Sequence, residues 1–184
     1  LQHILKAYTM LKQQFEEDHP DIARVLNNLG IIYLKRAHYD QALDYITQAL
    51  KIALKCYGKE HLEIAKYQNN IGLIFDQRGM KHEAIKHYEQ ALELYIKFFG
   101  ENHPHVAVIY DNIGCVIADL GNYREGLIKY LRSLRIRIKT LRENDAYMAS
   151  TFYDIGCLFR EQKIFHWGIN FYKKAYVCDL KNLG

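Results

Sequence analysis

One spacing recurs through this chain of 184 residues. Gly30, Gly72, Gly114 and Gly156 lie 42 residues apart, and His19, His61 and His103 keep the same interval, with Asp145 at the fourth place. A period this long and regular belongs to stacked supersecondary units, none of which can bury its apolar face alone; together they share a core and expose an extended surface. Such surfaces bind other chains.

The period makes residues 1–184 a single array, with repeats at 19–60, 61–102, 103–144 and 145–184. Residues 1–18 align with the second helix of an incomplete leading repeat, since Ile4 falls in the column of Ile46, Met10 in that of Ile52 and Phe15 in that of Tyr57. The chain has neither a first helix for that leading repeat nor a polar capping helix at its end. It therefore reads as a fragment of a longer protein, with further repeats, a cap or self-association covering the uncapped ends.

Within a repeat, Ile22, Val25, Leu26, Leu29, Ile32 and Tyr33 follow helical spacing and define a one-sided helix A. The polar run 36–40 breaks it, and Leu43, Ile46, Leu50, Ala53 and Leu54 form the stripe of helix B. Pro20 and Pro104 each follow a His and open a helix A, where a missing N–H costs little. Glycine inside a helix costs about 1 kcal/mol relative to alanine. Four of them in one column therefore imply close approach of helix B, whose Ala42, Ala84, Gly126 and Gly168 are equally small.

These residues resemble the tetratricopeptide pattern W-x-x-L-G-x-x-Y followed by small and aromatic positions. It reads Leu26, Leu29, Gly30, Tyr33, Ala42, Ile46, Ala49 in the first repeat and Tyr110, Ile113, Gly114, Ile117, Gly126, Tyr130, Ser133 in the third. The 42-residue length and the run Gly100 to Ala107 are similar to the kinesin light chain-like subtype. The resemblance implies an all-α fold, a right-handed α-α superhelix or tetratricopeptide (TPR) solenoid of antiparallel helix pairs. It also implies a non-catalytic interaction scaffold that holds an extended protein or peptide segment in a concave groove.

At about 100° per residue, helix A places Arg24, Asn28, Ile31 and Lys35 opposite its core stripe. The resemblance makes this the groove face, and carries the role to Lys66, Asn70, Leu73 and Gln77, to Asn112 and Asp119, and to Asp154 and Glu161. Val108, Cys115, Ser150 and Cys157 complete the columns. An Asn amide can hold a peptide backbone whatever its sequence, which the resemblance assigns to Asn28, Asn70 and Asn112; the alternative is that each bonds a neighbouring helix. Arg24, Lys35 and Lys66 mark a basic end, Asp119, Asp154 and Glu161 an acidic one, so an acidic ligand segment is expected over the first two repeats.

Two features break register. From Arg124 to Arg142 seven basic residues face only Glu125, and Arg132, Arg135, Lys139 and Arg142 share one flank beside an apolar stripe of Leu127, Leu131, Leu134, Ile138 and Leu141. This patch is a possible secondary contact for an acidic protein, RNA or an anionic surface, or a solvated helix face. Trp167, the only tryptophan, occupies a column otherwise filled by Gln41, Glu83 and Glu125, which points to contact with a continuation, a second copy or a partner.

A formal charge of +4 is too small and too dispersed to make nucleic acid the favoured partner. No phosphate loop, nucleophile elbow or paired-acid constellation is present, and the nine histidines and four cysteines form no ligand pattern, so no enzyme, cofactor or metal is expected. No apolar run approaches the ~20 residues of a membrane span, and the cysteines read as reduced thiols of a cytoplasmic protein. A regulatory or autoinhibitory array within a larger receptor or enzyme is the alternative reading.

Overall fold

The computed structural model describes residues 2–15, 18–140 and 146–183, whose regular structure is all helical. The elements are α1 (Gln2–Gln14), α2 (Pro20–Lys35), α3 (Tyr39–Tyr57), α4 (Leu62–Gln77), α5 (Lys81–Phe99), α6 (Pro104–Asp119), α7 (Tyr123–Thr140), α8 (Ala146–Glu161) and α9 (Phe165–Leu183). Helices A of the repeats are α2, α4, α6 and α8, and helices B are α3, α5, α7 and α9. The chain divides into two compact units, 1–94 and 95–184, within α5.

In the first unit α2 packs on α3, and α4 closes over them. Ile22, Leu26, Ala42, Ile46, Ala49, Ile64, Tyr67 and Ile71 form the core. Gly30 shows why its column is glycine. A Cβ built there would stand 2.3 Å from Ile46 Cγ1 and 3.1 Å from the Ala42 carbonyl, so the α2–α3 crossing leaves room for nothing larger than hydrogen.

The histidine column has two tasks. His19 and His61 each accept a hydrogen bond at Nδ1 from the backbone N–H two residues on, at 3.2 Å, which satisfies a first-turn donor. Each ring also stacks on an aromatic ring ahead of it in the chain, His19 on Phe15 at 4.0 Å and His61 on Tyr57 at 3.9 Å. The turn from helix A to helix B uses another column, in which Ala37, Gly79, Gly121 and Lys163 all take positive φ between 58° and 84°. Two of the four are residues that pay for that conformation.

The second unit repeats this chemistry. His103 caps α6 and stacks on Phe99 at 4.1 Å. Gly114 lies against the Tyr130 ring, and Gly156 against that of Tyr172. The α7 stripe differs from the sequence expectation, because Leu131 is 48% and Ile138 61% exposed while Tyr130, Ser133, Ile136 and Arg137 are buried. Core contact follows the repeat columns rather than apolar spacing alone.

Candidate functional site

The helix A faces are best read unit by unit. On the first, Arg24, Asn28, Lys35, Lys66 and Gln77 are exposed and Ile31 and Leu73 half-buried. Arg24 pairs with Asp21 at 2.9 Å and Lys66 approaches Glu63 at 3.9 Å, so each cation leans on an acid of its own first turn. Asn70 behaves differently. It is only 8% exposed, and its Nδ2 donates to Oδ1 of the fully buried Asn27 at 2.8 Å, tying α4 to α2.

On the second unit, Asn112 and Asp154 are half-buried while Asp119 and Glu161 are exposed. Asp119, Asp154 and Glu161 line one cavity of about 380 Å³, together with Cys115, Cys157, Tyr123, Tyr130, Leu158 and Arg160. Each of its cysteines meets a tyrosine, for Tyr130 bonds Cys115 and the Tyr172 hydroxyl donates to Cys157 Sγ at 3.4 Å. Arg160 is held by Glu161 at 2.8 Å, and Asp119 and Asp154 are the cavity's other carboxylates.

Behind this cavity lies a polar network. Arg137, 2% exposed, pairs through Nη2 with Asp111 and donates from Nε to Ser133 at 3.1 Å. Thr151 donates to the same Asp111 carboxylate at 3.1 Å, and the Tyr147 ring lies 5.2 Å from the guanidinium. Burial raises the Asp111 carboxyl, with Arg137, Ser133 and Thr151 pulling against it. Burial and the neighbouring Asp111 charge push Asp154 up to about 6, opposed by Arg137. Hydrophobic patterning missed this network, but the repeat columns contain its signal: Arg137 stands where the first two repeats have Ala53 and Tyr95, both buried.

The remaining sequence candidates sit elsewhere. Arg132, Arg135 and Lys139 are exposed on α7 and line a separate cavity, and Arg142 lies outside the described residues. Trp167 is 53% exposed, its ring stacked on Phe159 at 6.2 Å. Among the described residues no group of three or more His, Cys, Asp or Glu is placed to hold a metal ion, and no helix is long and apolar enough to cross a membrane.

Stacked helix pairs with glycine-mediated crossings, repeated at fixed columns, define a repeat solenoid of the interaction-scaffold class. The tetratricopeptide repeat family model matches residues 1–55, 39–97 and 63–125, and the chain belongs to that family. No curated protein matches it in sequence. Among solved structures it is similar to BtubC (BKLC) from P. vanneervenii, at 24% identity and a TM-score of 0.83, over 98% of this chain and 72% of that one. It is also similar to a putative kinesin light chain with nearly identical TPR-like repeats from Podosopora anserina, at 15% identity and a TM-score of 0.74, over 97% and 85% of the two chains. A Rap protein complexed with competence and sporulation factor matches at 18% identity and a TM-score of 0.82, over 96% of this chain and 47% of that one.

Proposed function

We propose that this chain is a non-catalytic cytoplasmic scaffold that binds an extended protein or peptide segment along its helix A faces. The observation that carries the reading is the cavity of the second unit, where Asp119, Asp154 and Glu161 gather around tyrosines and cysteines. Carboxylates beside tyrosine and apolar side chains suit a Lys or Arg side chain of the ligand, whose stem packs while its cation meets the acidic groups. The Rap protein of similar fold, solved in complex with competence and sporulation factor, supports the reading.

On the first unit, exposed Arg24, Lys35 and Lys66 beside Asn28 suit an acidic stretch of the ligand. Charge reversal at Arg24 and Lys66 to Glu should weaken a ligand selected on the native chain, and neutralising Asp119 and Asp154 to Asn should weaken it independently. Unchanged affinity in both variants would remove the proposal. Exposed Trp167 supports a second contact through α9, either with a further copy or with a continuation. Trp167→Glu should then shift a self-associated species toward monomer in size-exclusion chromatography.

A further inference from the structure

The repeat supplies an internal control for the basic patch, because the same columns line a cavity in the first and third helix pairs. In the first, Gln48, Lys51, Ile52 and Lys55 of α3 meet Asp18 and Leu26 around about 280 Å³. The Asp18 carboxylate holds Lys55 Nζ at 2.7 Å, so the fold itself neutralises that cation. In the third, Arg132, Arg135, Ile136 and Lys139 of α7 meet Asn102 and Tyr110 around about 390 Å³.

Two differences change the charge. Arg132 stands where the first pair has Gln48, adding a cation, and Asn102 stands where it has Asp18, removing the carboxylate that held the lysine. Arg132, 5.7 Å from the centre of the Tyr110 ring, follows the same helix flank as Arg135 and Lys139, so the three positive groups repel one another. Glu101 also lines the cavity, yet Arg135 and Lys139 form no ion pair among the described residues. The third repeat has thus lost the carboxylate that holds the first repeat's lysine and gained one cation.

We propose that this cavity binds a phosphate monoester carried on a side chain of a protein ligand. Arg132, Arg135 and Lys139 would hold the dianion, and Tyr110 and Ile136 would pack its stem. Guanidinium groups suit the several acceptor oxygens of a phosphate. A compact dianion fits better than RNA, because the cations gather at one cavity rather than along a track, in a chain whose formal charge is only +4. The site shares no residue with the helix A faces, so its failure and theirs are separable.

The test uses the full chain and two fluorescent degenerate peptide pools, alike except for a fixed central phosphoserine or serine. Fluorescence anisotropy should show the phosphorylated pool binding about tenfold tighter. Asn102→Asp, which restores the first pair's counter-charge, and Arg135→Gln should each erase that advantage while circular dichroism and melting stay unchanged. Equal binding of the two pools, or a preference that survives both variants, would overturn the site. Inorganic phosphate competing at the same concentration as the phosphorylated pool would overturn the protein ligand. Displacement of that pool by oligouridylate at lower concentration, with a steep salt dependence, would assign the cavity to RNA instead.

Discussion

The Arg137 guanidinium is buried against the Asp111 carboxylate, joining α7 to α6, at a column that holds Ala53 in the first repeat and Tyr95 in the second. Removing one partner of a buried pair leaves the other charge without compensation, at a cost of about 3–5 kcal/mol. Arg137→Ala should lower the unfolding free energy by that order in urea denaturation. The double replacement Arg137→Met with Asp111→Leu should recover much of it, since neither charge then remains.

Gly30→Ala should destabilise despite alanine's better helix propensity. The added Cβ would meet Ile46 Cγ1 at 2.3 Å and the Ala42 carbonyl at 3.1 Å, and overpacking of this kind costs about 1–3 kcal/mol. Pairing it with Ile46→Ala, which removes the clashing Cγ1 and Cδ1 atoms, should cost less than the sum of the two single replacements.

Ala37 takes a φ of 58° where the equivalent turns have Gly79 and Gly121. A left-handed conformation costs an L-residue about 1 kcal/mol or more, against which glycine's greater freedom in the unfolded chain must be set. Ala37→Gly should therefore raise stability by up to about 1 kcal/mol, and Gly79→Ala should lower it, both measured by thermal denaturation.

Burial and the nearby His105 hold His103 below its ordinary value of 6.5, so the folded chain prefers the neutral ring, whose Nδ1 caps α6. Its contribution is present above that value and is lost as pH falls below it. Between about pH 7 and about pH 5 the native chain should lose melting temperature relative to His103→Asn, which can accept the same hydrogen bond without titrating.

Asp154 runs the other way. Its carboxyl rises from an ordinary 3.8 to about 6, so the folded chain binds the extra proton in that interval and stability falls as pH rises through it. The penalty is absent below 3.8 and complete above 6. Asp154→Asn should flatten this slope in pH-dependent denaturation. A cationic ligand at the cavity should bind more tightly as pH rises through 6, when the carboxylate ionises.

Much of the fold was legible because the period could be read column by column. The glycines, the small residues opposite them and the capping histidines stand at equivalent places and do equivalent work. Less legible was α7, where Leu127, Leu131, Leu134 and Ile138 make a convincing apolar stripe although Leu131 and Ile138 face outward. Hydrophobicity assigns Arg137 to solvent, whereas Asp111 on the neighbouring helix A, itself bonded by Thr151, supplies the partner that lets it be buried. Sequence spacing cannot show that supply, because Asp111 and Thr151 lie 26 and 14 positions from Arg137 along the chain. Asn70 illustrates the same limit, for its helical angle matches that of Asn28, yet its amide is engaged by Asn27 on the adjacent helix A.

The most direct test is random-peptide display against the full chain, followed by titration of the enriched peptides onto the native protein and onto Asp119→Asn/Asp154→Asn. The account predicts enriched peptides carrying Lys or Arg, with affinity reduced about tenfold or more in the variant at unchanged helicity. Peptides without a basic residue, or equal binding to both proteins, would contradict it.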